Sequence, residues 1–385
     1  MSGPAAGTAH AAATTDVVCL GESMVTFLPS QPGRLADVPS FGRGIGGAES
    51  NVACALAAAG HRAAWVGRVG ADGFGDHLVE TIAGYGVDTS AVRRDPDRPT
   101  GIYFRTATDR GTEAHEVAYY RAGSAASAMS PANVPYEELF AGRILHLSGI
   151  TAALSADCLA LLRELTAPRP GRPLVSFDVN HRPRLWRDGD AGVLLELASR
   201  CDLVFVGEDE AEEAWGIVGA EAIRAALPEP SVVVVKRGSA GATVFASGLR
   251  PGPRSSNAGG ADIGSRPTHV GGAEAGERAA QAADRDTVTV VPALRVDVVA
   301  AVGAGDAFAA GFLSATLRGL PVRDRVRHGH LMAAAALTVP GDLTEPPARD
   351  HADRLVALDD GAWGRLRLGP GWTAADRAHE EVRTP

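Results

Sequence analysis

The chain has 385 residues, is 45% hydrophobic but only 5% aromatic, and carries a formal net charge of −9. That length allows a full core in one large or two unequal domains, and no charge-free apolar run is long enough to suggest a membrane span. The acidic balance, without a basic stripe or interleaved aromatics, speaks against a nucleic-acid or anionic-membrane partner, although a local arginine pair could still hold a small anion.

Residues 1–15 are rich in Ala, Thr and Gly but lack the basic start and apolar core of a secretory signal, which predicts a disordered tail. Cys19, Cys54, Cys158 and Cys201 sit among apolar neighbours with no C-x-x-C pair, so they read as buried small hydrophobes of a cytoplasmic, reducing environment. Short Val/Leu/Ile runs predict strands at 17–20, 64–66, 144–147, 174–178, 203–206, 232–235 and 287–291. Ala/Leu-rich segments between them predict helices at 49–59, 74–85, 156–165, 191–199, 209–215, 307–318 and 323–338. This alternation implies an α/β fold whose mostly parallel sheet is covered on both faces, with ligands at the carboxyl ends of the strands.

Residues 100–121 break the alternation: two apolar runs flank a polar Asp109-Arg110-Gly111 turn, predicting a hairpin. With the strand-like residues 24–28 it would build a small β-sheet closing over a cleft, a lid drawn from about 23–45 and 99–123; an ordinary surface hairpin is the alternative. Residues 247–286, rich in Gly, Ala, Arg, Ser and Pro, predict a disordered insertion. The stretch from 344 onward is poorly patterned, although Trp363 and Trp372 suggest that parts of it dock on the domain.

Chemistry concentrates at Val302-Gly303-Ala304-Gly305-Asp306-Ala307-Phe308. Gly303 and Gly305 allow a turn tight enough for the N–H groups of Gly303, Ala304 and Gly305 to converge on an anion, and the following helix adds its positive dipole end. Asp306, in the first helical turn, is then placed to take a proton from a hydroxyl attacking a phosphate, which is a kinase geometry. The same carboxylate also suits an ordinary helix start.

Two motifs in order give a family resemblance over roughly residues 16–345. Gly46-Gly47-Ala48-Glu49-Ser50-Asn51-Val52-Ala53 resembles the N-terminal di-glycine signature of the ribokinase-like (PfkB) sugar kinases. Ala304-Gly305-Asp306-Ala307-Phe308-Ala309-Ala310-Gly311-Phe312 resembles the C-terminal one. The resemblance implies a Rossmann-like α/β kinase domain at 16–345 with a β-lid, a C-terminal extension at 346–385, and transfer of the ATP γ-phosphate to a sugar hydroxyl. Gly46 and Gly47 would let substrate approach the backbone, and Asn51 could hydrogen-bond a sugar hydroxyl. The Lys236-Arg237-Gly238-Ser239-Ala240-Gly241 turn matches the family's nucleotide side, making Lys236, Gly238 and Gly241 ATP contacts, with a plain β-turn as the alternative. Mg²⁺ is expected to neutralise the phosphates, and Glu210 stands where the family's Asn-x-x-Glu motif places its acid.

The chain departs from that pattern at Gly207, which replaces the motif's Asn, and at Ala300-Ala301-Val302, where the family often carries an Asp; Asp297 lies three residues too early. At Met332 an expected Asn is absent. The Asp178-Val179-Asn180-His181-Arg182-Pro183-Arg184-Leu185-Trp186 segment resembles that of 2-keto-3-deoxygluconate kinases, as do Tyr103 and Tyr119-Tyr120-Arg121. Arg forks bind carboxylates bidentately, so Arg121 and Arg182 are the carboxylate candidates, with Tyr103 and Tyr119 offering hydroxyls and ring faces. Arg182 could instead pair with a nearby structural carboxylate such as Asp178. The expected activity is an ATP- and Mg²⁺-dependent kinase of a sugar acid; a neutral-sugar kinase and a non-catalytic sensor are the rivals. An edge-exposed lid also suits a homodimer.

Overall fold

Eight strands make the central sheet of the computed structural model, which describes residues 15–106, 116–186, 190–247 and 286–374. Their order is Thr287–Val291, Ala242–Ala246, Val232–Lys236, Leu203–Gly207, Leu174–Asp178, Ile144–Ser148, Val17–Leu20 and Ala63–Val66. The run from Val232–Lys236 to Ala63–Val66 pairs in parallel, while Ala242–Ala246 and Thr287–Val291 add antiparallel. The period of two sorts each strand between two cores: Val232 and Val234 face one, Val233 and Val235 the other. The first core takes in helices Ala48–Ala58, Ala304–Leu317 and Val322–Leu337; the second takes in Ala156–Thr166 and Gly192–Ser199. Burial on both faces is why the strands read as unbroken apolar runs.

Each predicted strand and helix is present: the strands at 17–20, 174–178 and 287–291 match at both ends, and no other end is shifted by more than three residues. The largest shift is at the glycine-rich turn: the helix expected from 307 begins at Ala304, so Asp306 is its third residue. The Ala242–Ala246 strand and the Ala220–Ala226, Arg349–Val356 and Asp360–Arg365 helices went unpredicted, being short and dependent on packing for their stability. Trp363 and Trp372 are buried in the first core, so 349–372 is part of the same hydrophobic body.

A second, four-stranded sheet has the order Phe41–Gly46, Met24–Pro29, Ile102–Arg105, Val117–Tyr120. Ile102–Arg105 and Val117–Tyr120 form the expected hairpin, with Ile102 opposite Tyr120; its turn at 109–111 lies outside the described residues, as do nearly all of the 1–15 tail and the 247–286 insertion. Phe41–Gly46 escaped prediction because alternate residues are glycines, which have poor strand propensity. It is held instead by a six-residue antiparallel register with Met24–Pro29 and by Phe41, Phe104 and Phe27 packing ring on ring.

Candidate active site

The Ala304–Leu317 helix starts from Gly303, whose φ of 72° is left-handed, and no side chain caps it. Its first N–H groups therefore lack the side-chain acceptor that most helix starts carry, and they remain available to an anion. Asn51, on the Ala48–Ala58 helix, donates from Nδ2 to Asp306 Oδ2 at 2.9 Å. Burial pushes the Asp306 carboxyl up to about 7 from an ordinary 3.8; the Asn51 hydrogen bond pulls it down, Asp178 raises it, and Arg182 and Lys236 lower it. Protein surrounds this carboxylate, yet the residue keeps a partial opening to solvent. A carboxylate so poised can exchange a proton near neutral pH.

Lys236, at the end of Val232–Lys236, reaches Asp178 Oδ1 and Oδ2 from Nζ at 3.0 and 3.1 Å. Burial opposes its charge, but Asp178, Glu210 and Asp306 hold its pKa above the ordinary value. A Cβ on Gly305 would stand 3.7 Å from that ammonium, so Lys236 borders the glycine-rich turn. Gly238 is left-handed with open space where a Cβ would go, whereas a Cβ on Gly241 would collide with the Val291 carbonyl.

On the four-stranded sheet, the Tyr103 hydroxyl donates to Asp342 Oδ2 at 3.1 Å and Arg105 Nη2 donates to Asp342 Oδ1 at 2.7 Å. Burial, then the Asp342 charge, raises the Tyr103 phenol well above its ordinary pKa. A Cβ on Gly46 would strike this same Tyr103–Asp342 pair, and one on Gly47 would strike the Glu22 carbonyl. The protein's own close packing thus requires both glycines. Tyr119 packs tilted against Tyr103, with ring centroids 5.4 Å apart and planes at 34°, and remains exposed. Arg121 is ion-paired with buried Glu22, which also accepts from Ser124 Oγ at 2.6 Å. Arg182 is half-exposed, with Glu210 Oε1 3.5 Å from Nη1. Asp178, offered as Arg182's alternative structural partner, pairs with Lys236 instead.

Glu210 accepts from the Gly207 N–H at 2.8 Å, closing the N-terminus of Glu208–Trp215. Among the described residues no cluster of three His, Cys, Asp or Glu side chains is spaced to hold a metal. The helix entry that lacks the family's Asp is braced otherwise. Val299 and Ala300 N–H donate to the Leu337 carbonyl at 2.7 and 3.3 Å, and the Asp342 backbone packs on Gly303. Asp297 serves elsewhere, pairing with Arg367 at 2.7 Å, and Met332 is packed against Gly311 between two helices. Gly303→Ala should force both a left-handed alanine and a collision with Asp342. We expect a loss of about 1–3 kcal/mol in a denaturant titration, together with a lower kcat/KM.

Sequence reasoning missed Asp342, Arg105 and Glu22. Each lies far in sequence from its partner, and no local motif marks it. It also passed over Glu49, read only as a helix residue. This buried carboxylate accepts from Ser148 Oγ at 2.7 Å and Thr151 Oγ1 at 2.8 Å, and burial raises its pKa. Two buried amide oxygens, Asn51 Oδ1 and Asn180 Oδ1, have no partner among the described residues. Asn180 also takes a left-handed φ of 41°, uncommon outside glycine.

Comparison with known proteins gives this arrangement a context. The chain is 33% identical to the 2-dehydro-3-deoxygluconokinase of Bacillus subtilis (strain 168), over 87% of this chain and 93% of that one. It is 27% identical to a probable chloroplastic fructokinase-6 of Arabidopsis thaliana, over 84% and 77% respectively. The solved structure of a PfkB protein from Polaromonas sp. JS666 superposes with a TM-score of 0.69 at 30% identity, covering 89% of this chain and all of that one. The family model described as pfkB family carbohydrate kinase matches residues 14–254 and 274–349, so the chain belongs to the pfkB carbohydrate kinases, phosphotransferases acting on a sugar hydroxyl.

Proposed function

We propose that this kinase moves the γ-phosphoryl of ATP to a hydroxyl of a sugar acid, 2-keto-3-deoxygluconate or a close relative. The observation that carries the chemistry is Asp306, its carboxyl pushed up to about 7 and steered by Asn51 at an uncapped helix start. Asp306 accepts the proton of the attacking hydroxyl; that oxygen bonds the γ-phosphorus as the bond to ADP breaks. The N–H groups of Gly303, Ala304 and Gly305 face the developing charge of the transferred group, and Lys236, which borders Gly305, neutralises it. The unpartnered Asn51 and Asn180 oxygens are acceptors that sugar hydroxyls would satisfy.

Mg²⁺ bound to the nucleotide would supply further charge neutralisation. Since no multidentate cluster exists among the described residues, phosphate and water would provide most of its ligands, with Glu210 as the nearby protein carboxylate. Gly238 and Gly241 would border the nucleotide. The four-stranded sheet closes as a lid that expels water and limits wasteful hydrolysis of ATP.

An acid substrate is favoured by half-exposed Arg182, close enough to lower the Asp306 pKa, together with the 33% identity to a 2-dehydro-3-deoxygluconokinase. A neutral sugar is favoured by one specific feature: Glu22 already neutralises Arg121, leaving that guanidinium less need of a substrate carboxylate. A coupled ADP-release assay over keto-deoxy acids, hexoses, pentoses and nucleosides decides between them. We expect fastest turnover with a keto-deoxy acid. Arg182→Gln should cost about tenfold or more in kcat/KM for that acid, the worth of one charge-assisted contact, and little for neutral sugars. Faster turnover of fructose or ribose than of any acid, with Arg182→Gln affecting all substrates alike, would overturn the sugar-acid reading.

A further inference from the structure

A cavity of about 340 Å³ lies at the opposite end of the Ala48–Ala58 and Ala304–Leu317 helices from Asp306. Its walls include Ala58 and Gly60 at the far end of the first helix and Gly311 and Ser314 on the second. On the second helix the wall begins at Gly311, five residues or about 7.5 Å beyond Asp306, and runs on through Ser314 to Arg318, away from that carboxylate. The cavity is thus separate from the phosphate-transfer site, and its volume falls within the ~300–1,000 Å³ typical of small-molecule pockets.

Its lining is split by chemistry. Leu331, Met332, Pro347 and Ala352 make an apolar floor, while Arg318, His328 and Arg349 bring basic groups to it. Asp353 takes Arg318 Nη2 at 2.6 Å and His328 Nε2 at 3.2 Å, while burial and Arg318 lower the His328 pKa against the pull of Asp353 and Asp324. Arg349 forms no ion pair among the described residues; its Nη2 donates to the Ala59 carbonyl at 3.2 Å. His61, which meets Ser314 Oγ at 2.8 Å, reports the local field. Burial lowers its pKa, and Arg349, Arg318 and Arg143 lower it further against the opposing pull of Asp16. The Arg349 guanidinium beside an apolar floor, with Arg318 next to it, recognises one ligand class: a small molecule with an anionic head and a short apolar body.

We propose that this cavity is a second binding site, for a small organic carboxylate or phosphate monoester, with Arg349 and Arg318 holding the head and the Leu331–Met332 floor holding the body. The site is independent of which sugar the kinase phosphorylates.

Calorimetric titration of the whole chain tests this with four probes: phenyl phosphate, benzoate, benzyl alcohol and inorganic phosphate. One-to-one binding is expected for phenyl phosphate, benzoate or both, according to which head the arginines prefer. Benzyl alcohol lacks the charge and inorganic phosphate lacks the body, so each should bind at least about tenfold more weakly. Binding should persist in saturating ATP and in Asp306→Asn. Arg349→Gln should weaken it about tenfold, and Ala348→Trp, which places an indole at the rim, should abolish it; both variants should keep the wild-type melting temperature and sugar-kinase rate. The proposal is overturned if neither aromatic anion binds, if ATP displaces them, if Ala348→Trp binds them as wild type does, or if inorganic phosphate binds equally well.

Discussion

Asp306→Asn is expected to reduce kcat/KM by about 10²–10⁴-fold, the usual contribution of a positioned general base, in an assay of ADP release. The substitution keeps the shape of the side chain, so affinity for the sugar should change far less than turnover. The pH profile gives a second signature. In the wild type the acid limb of kcat/KM should have its midpoint near 7, where Asp306 loses its proton, and this limb should vanish in the variant. Stability should move the other way. The native carboxyl titrates near 7 and the unfolded one near its ordinary 3.8, so the folded state binds this proton more tightly. The protein therefore loses stability as pH rises from about 4 to about 7, by up to about 4 kcal/mol. Asn carries no charge to bury, so Asp306→Asn should be more stable than wild type at pH 8 and no more stable at pH 4, as thermal melts at the two pH values will show. Wild-type turnover in Asp306→Asn would refute the assignment of the base.

Lys236→Met should have the next largest effect, through two linked changes. It removes the cation beside the anion-binding turn, and it leaves Asp178, 2% exposed, without its ion-pair partner. Stripping one member of a buried pair costs about 3–5 kcal/mol, so the melting temperature should fall steeply. Lys236 also lowers the Asp306 pKa, and its loss should move the acid limb of kcat/KM to higher pH. Asp178 raises the same pKa, so the double variant Lys236→Met, Asp178→Asn should recover stability and bring the limb back towards its wild-type position while turnover stays low. If the double variant recovered full turnover, the ammonium would be serving only to neutralise Asp178 and would have no part in phosphoryl transfer.

The contrast between Asp306 and Asp342 explains how much of the site was legible. Asp306 announces itself because its neighbours in sequence, Gly303 and Gly305, supply the turn and the helix start that give the carboxylate its setting. Asp342 has no such local company. It matters because folding brings Tyr103, Arg105 and Gly46, each more than 200 residues away along the chain, and Gly303, 39 away, against one loop. Arg121 shows the same limit from the other side. Its guanidinium fork suggested a carboxylate ligand, and the tertiary structure supplied one from within, Glu22, 99 positions distant. Glu210, proposed as a metal ligand, spends one oxygen on the backbone of Gly207, three residues away.

The sequence alone determined what depends on nearest neighbours: strands as continuous apolar runs, helices by their period, the glycine turn with its acid, and the order of the two signatures. Only the tertiary structure decided which charges cancel. Ion pairing falls off within a few ångströms, and separation along the chain says nothing about separation in space once a parallel sheet has gathered its carboxyl ends into one cleft.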